Sequence, residues 1–224
     1  MAKGGVVALS VAHDKRGKRD ASRAFIPEAK RFLAYWESEG LRTHLALINN
    51  RARVATRRKQ VIDALGGAGS LKHLAIFAHG WRTGIQMGFR LGHLAALGRK
   101  IAEHTVDDAP VVTLYTCSTA QGSGSGGDGG FADELRDALC REGMIECRVD
   151  GHVTKGHTTR NPHVRRFEGE GSPFGEIGGR YIVKPRGRLW WPWKQALRGP
   201  DDTFRYAYGR MSIADIHNEI SGFV

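Results

Sequence analysis

Two short apolar runs constrain this chain most: His-Leu-Ala-Ile-Phe-Ala over 73–78, which ends at His79-Gly80, and Val-Val-Thr-Leu-Tyr-Thr over 111–116, which ends at Cys117. Each is rich in β-branched and aromatic residues and is bounded by polar or Gly-rich sequence, the pattern of a strand buried on both faces of a parallel sheet. Parallel strands deliver their last residues to one common edge, and in open α/β sheets ligands bind along that carboxyl edge. An imidazole and a thiol 38 positions apart in the chain can therefore meet there.

The remaining sequence alternates in the same way. Residues 5–11 predict a first strand, and Pro27 opens a helix through Glu39 whose apolar face is Phe32, Leu33, Tyr35 and Trp36. A strand over 43–48, a helix from Val54 to Leu65, the strand to His79, a helix from Leu91 to His104 and the strand to Cys117 follow. Beyond Gly122–Gly130, which has too little apolar content to pack and reads as a mobile linker, come a helix from Phe131 to Glu142 and a strand over 145–149. Such alternation predicts a three-layer α/β/α sandwich on a mainly parallel central sheet. Residues 1–150 form the core on this reading, and 151–224 a C-terminal extension of the same domain. The extension reads as long loops over 151–180, a strand near Tyr181–Val183, the aromatic cluster Trp190, Trp191 and Trp193, a strand over Phe204–Tyr208 and a capping box at Ser212–Asp215.

The pattern of an apolar strand, His-Gly, and a second apolar strand ending in Cys resembles the caspase-like cysteine peptidases (clan CD), bacterial members included. Phe77-Ala78-His79-Gly80 with Ile85–Gly88 is similar to that family's His-Gly loop and the short strand after it. Leu114-Tyr115-Thr116-Cys117 with Phe131–Leu135 is similar to its Cys strand and following helix. Thr116 departs from the small residue usual there, and Ser118-Thr119 stand where a glycine follows closely. The resemblance implies a cysteine endopeptidase with a protein or peptide substrate. It also implies a specificity residue in the loop after the first strand, here His13 to Asp20, which makes Asp14, Arg16 and Arg19 the candidate substrate-binding residues. The two arginines favour an acidic group held bidentately.

The residues support the chemistry directly. A thiol attacks as thiolate, and a neighbouring imidazole supplies base and stabilising charge, so Cys117 is the candidate nucleophile and His79 the general acid/base. Gly80 lacks a Cβ that would obstruct a substrate, and its N–H with that of Cys117 is the candidate oxyanion hole. This reading calls for no cofactor and no metal. The competing explanation is structural: free cysteines are commonly buried, and a caspase-like fold without turnover would act as an interaction module.

Two further signals compete. Gly122-x-Gly124-x-x-Gly127, with Asp150 at the end of the next strand, matches the dinucleotide-binding fingerprint, although Cys-Ser-Thr-Ala-Gln intervenes before the turn. His13, Glu28 and His79 occur in the order of a zinc-dependent amidase's ligands. His152, His157 and His163 have no compact ligand spacing and read as solvated loop residues.

Charge and cysteines narrow the setting. The net charge of +11 divides as +9 over 1–60, −3 over 61–150 and +5 over 151–224, so the positive field belongs to the flanks. The cluster Arg51, Arg53, Arg57, Arg58 and Lys59 reads as an exposed helix face with no interleaved aromatic, which disfavours nucleic acid as partner. No stretch approaches the roughly 18 apolar residues of a spanning helix, so no membrane is expected. Three cysteines, Cys117, Cys140 and Cys147, suit a reducing cytoplasm, with the latter two as buried structural thiols.

Overall fold

The computed structural model describes residues 5–13, 25–67, 69–156, 161, 163–175 and 178–182. The first strand, β1 (Gly5–Val11), is buried along its whole length, as are all but one residue each of β3 (Leu71–Phe77) and β6 (Val111–Tyr115). β2 (Arg42–Ile48) mostly alternates between half-buried and exposed, as an edge strand must. Between them run α1 (Ile26–Ser38), α2 (Val54–Gly66), a short hairpin of β4 (Gly80–Trp81) and β5 (Gly84–Ile85), and α3 (Leu94–His104), which follows a 3₁₀ turn at Leu91–His93. α4 (Phe131–Arg141), β7 (Arg148–His152), β8 (Val164–Glu168) and β9 (Arg180–Tyr181) complete the described elements.

The seven-stranded sheet has the order β2-β1-β3-β6-β7-β8-β9. It is parallel from β2 to β7 and antiparallel at β7–β8 and β8–β9. With right-handed crossovers, the step from β1 outward to β2 puts α1 on one face. The later steps run the other way and put α2, α3 and α4 on the opposite face, where α3 packs between the other two. The molecule is thus a three-layer α/β/α sandwich on a mainly parallel sheet, as its sequence predicts. The strand order reverses between β1 and β3, the kind of position at which open α/β sheets bind ligands on their carboxyl edge.

α1 shows how the layers close. Pro27 occupies its first turn, and Ala29, Phe32, Leu33 and Trp36, spaced three and four apart, are buried against the sheet. Phe32 meets Phe77 and Tyr115 edge-on, and those two rings stack at 4.5 Å, joining β3 to β6.

Four details differ from expectation. β7 starts at Arg148 rather than at 145, because Met144–Cys147 form a turn that leaves Ile145 exposed. β8 lies within the segment that reads as loops, β7 straddles residue 150, and β8 and β9 extend the same sheet. His152 is a buried strand residue beside the Tyr115 ring, not a solvated loop histidine. The Gly122–Gly130 segment, expected to be a linker, closes as a tight hairpin in which Ser123 and Asp128 exchange backbone hydrogen bonds of 2.7 and 2.9 Å. Its glycines are there for close approach: a Cβ at Gly122 would fall on the Gly127 carbonyl, and one at Gly130 on that of Gln121. The expected elements at 204–208 and 212–215, the tryptophans 190, 191 and 193, and His157 lie outside the described residues.

Candidate active site

β3 and β6 are neighbours in register, with Phe77 opposite Tyr115. His79 and Cys117 each follow that pair by two residues, so they leave the ends of strands that stand about 4.8 Å apart in a sheet. The backbone brings the two segments into contact: a Cβ built on Gly80 would lie 2.8 Å from Thr116 Cβ and 2.9 Å from both the Cys117 carbonyl oxygen and Thr119 Cγ2. Only glycine allows this approach.

The turn carrying Cys117 is fixed from within. Thr119 Oγ1 donates to the Thr116 carbonyl at 3.1 Å, and the two hydroxyls are 2.8 Å apart. Thr116 is thus the lock of the turn, which accounts for a hydroxyl residue at that position. Ser118 has φ 58°, the one non-glycine residue in the left-handed region among the described residues, and its N–H reaches the Thr154 carbonyl at 3.4 Å. Such a conformation costs of order 1–3 kcal/mol and persists only where its surroundings enforce it. Cys117 is half-buried, with Sγ 3.6 Å from the Gly156 carbonyl, and its N–H has no acceptor among the described residues.

His79 is held by the hairpin that follows it. Its carbonyl accepts from the Gln86 N–H at 2.9 Å and its N–H donates to Gln86 Oε1 at 3.4 Å. Its ring stands edge-on to Phe25, 4.9 Å between centroids. Gln86, which lies in the Ile85–Gly88 stretch of the His-Gly motif, and Phe25, which no motif announces, are positioning residues for His79.

The other candidates are placed as follows. Asp14, Arg16 and Arg19 lie outside the described residues. His13 lies two residues beyond β1, where its backbone exchanges hydrogen bonds with the Asn50 side chain at 2.9 and 2.7 Å. Glu28 is buried on α1 beside Arg31. No group of three His, Cys, Asp or Glu residues suited to a metal occurs among the described residues, so His13, Glu28 and His79 do not converge as a ligand set there. Asp150 is fully buried and accepts from Arg166 Nε and Nη2 at 2.8 and 3.2 Å, with Arg148 Nε at 3.7 Å. Its carboxylate serves the sheet and is not presented to a ribose, and the Gly-rich segment is closed on itself by the Ser123–Asp128 backbone hydrogen bonds. Burial pushes the Arg148 guanidinium down to about 10.

Cys140 and Cys147 form a second thiol site, with their sulfurs 3.9 Å apart. Cys147 is buried as expected, but Cys140 is half-buried. A hydrogen bond from Cys147 lowers the Cys140 thiol to about 7, against the opposing effect of burial, while the same contact and burial push Cys147 up.

No helix among the described residues is long and apolar enough to cross a membrane. No protein-family model matches the chain, and no curated protein matches it.

Proposed function

We propose that the chain is a caspase-like cysteine endopeptidase acting on a protein or peptide substrate in the cytoplasm. The observation that carries this reading is the register-matched exit of His79 and Cys117 from adjacent parallel strands, with Gly80 packed on the Cys117 carbonyl. The Cys117 thiolate adds to the scissile carbonyl carbon, and the N–H groups of Gly80 and Cys117 receive the oxyanion, each worth about 3 kcal/mol in comparable enzymes. The His79 imidazolium then gives its proton to the leaving amine, which departs as the C–N bond breaks and a thioester remains. Neutral His79 next takes a proton from water, whose oxygen attacks the thioester and frees the acid and the thiolate. The strained Ser118 supports the same reading, because strain at a strand-to-turn junction is characteristic of positions held for reaction.

A fluorogenic peptide library with varied residues before the scissile bond tests this. Cys117→Ala abolishes cleavage and His79→Ala lowers it by about 10²–10⁴-fold, with the double variant no worse than Cys117→Ala, since the pair acts as a unit. A folded Cys117→Ala protein that cleaves like the wild type would leave the reading without a nucleophile. The alternative, an interaction module without turnover, is favoured by the structural contacts these side chains already make, Cys117 with Gly156 and His79 with Phe25. It predicts that no library member is cleaved by the wild type.

A further inference from the structure

Beside the hairpin that holds His79 lies a cavity of about 320 Å³, lined by Arg57, Arg58, Trp81, Arg90 and His93 and reached by Val54 at the start of α2. Its charge is one-sided. Among the described residues, none of the three guanidiniums has a carboxylate within ion-pair distance. Arg57 spends one N–H on the Gln86 carbonyl at 2.5 Å and Arg58 one on the Gly88 carbonyl at 3.2 Å, and Arg57 Nε is buried with no partner. A guanidinium has five N–H donors, so most of this capacity remains unspent.

Three further features make the cavity a site rather than a patch of basic residues. The first turn of α2 contains no acidic residue and has no side-chain cap, so its positive end is unopposed at the cavity rim. His93 Nδ1 accepts from the Arg90 N–H at 3.3 Å, which assigns the ring proton to Nε2 and makes that nitrogen a donor. Gly88, at φ +96°, brings the hairpin against α2: a Cβ there would lie 2.9 Å from the Val54 carbonyl. The aromatic missing from the α2 sequence thus arrives from β4, as the partly exposed indole of Trp81.

We infer that this cavity binds an organic phosphate, its phosphoryl group held by Arg57, Arg58 and Arg90 and its ring laid against Trp81. Guanidinium forks match phosphate oxygens bidentately, an uncapped helix start favours an anion, and an indole is a platform for a planar ring. The volume falls at the small end of ligand pockets, which suits a single nucleotide and not a polymer. The cavity shares Gln86 with the support of His79 but does not include Cys117, and its occupancy does not require that the chain be a peptidase.

The test is calorimetric titration of the full chain with adenosine 5′-monophosphate, adenosine and inorganic pyrophosphate. The monophosphate binds and adenosine does not. Arg90→Gln, an exposed change that removes no ion pair, weakens the monophosphate at least tenfold. Trp81→Ala weakens the monophosphate but leaves pyrophosphate unchanged, and Cys117→Ala binds both as the wild type does. Thermal unfolding confirms that each variant is folded, with Arg58→Gln as the second guanidinium variant should Arg90→Gln unfold. Equal affinity for adenosine and its monophosphate, no binding of either phosphate, or affinity unchanged in both arginine variants would overturn the inference. So would displacement of the monophosphate by a Glu-rich peptide that binds the cavity more tightly.

Discussion

Replacing Gly80 by alanine adds one methyl group where three neighbours already stand. The new Cβ lies 2.8–2.9 Å from Thr116 Cβ, the Cys117 carbonyl oxygen and Thr119 Cγ2. None can recede cheaply, for one is backbone and the other two belong to a turn locked by its own hydroxyls. Overpacking of this kind costs about 1–3 kcal/mol, and three simultaneous contacts put Gly80→Ala at about 2–3 kcal/mol. For a chain of this size that lowers Tm by about 4–12 °C, read by circular dichroism. The strain is relieved by moving the His79-Gly80 segment off the Cys117 turn, and a displacement near 1 Å is enough to cost about 10²-fold in any reaction needing both. Gly92→Ala is the control: no atom lies within 4 Å of its Cβ, so Tm stays level or rises slightly. If Gly80→Ala shifts Tm no more than Gly92→Ala and leaves the alkylation rate of Cys117 unchanged, the two strand ends are not in contact and the argument fails.

Asp150→Ala takes a buried carboxylate away from Arg166 and destabilises by about 3–5 kcal/mol in urea unfolding, and a loss below about 1 kcal/mol would refute the buried pairing. Cys140 alkylation by iodoacetamide, followed by peptide mass mapping, rises as pH passes upward through about 7, because the thiolate is the reactive form; a rate still climbing steeply only near pH 9 would contradict the contact with Cys147. The same maps resolve Cys117, whose labelling falls in His79→Ala while that of Cys140 does not change. Limited proteolysis spares Gly122–Gly130, whose backbone is bonded across the hairpin, and early cleavage there would restore the linker reading.

The parallel core was legible because its strands carry uninterrupted apolar runs and its helices a regular apolar face. β8 was not, since Val-Arg-Arg-Phe-Glu looks like surface. Arg165 and Arg166 are nonetheless buried, the first donating to the Ala120 and Ser125 carbonyls and the second to Asp150. Those partners lie 16 to 45 positions away in the chain, and no local pattern records them. The strand-end placement of His79 and Cys117 follows from the apolar runs that precede them. What orients His79, Gln86 across a hairpin and Phe25 at a helix start, comes from side-chain contacts that the apolar pattern does not record. Arg57 and Arg58 read as a plain exposed helix face for the same reason: the indole opposite them belongs to another element.

The pairing of β7 with β8 sets Asp150 directly opposite Arg166. In a strand as uniformly buried as β1, a shift by two residues would still present mainly apolar side chains to the same layer. Here such a shift would part the buried Asp150 carboxylate from the Arg166 guanidinium, at a cost of several kcal/mol. With the Arg180–Glu168 ion pair between β8 and β9, this contact selects one alignment of the antiparallel edge from alternatives that hydrophobicity would leave nearly degenerate.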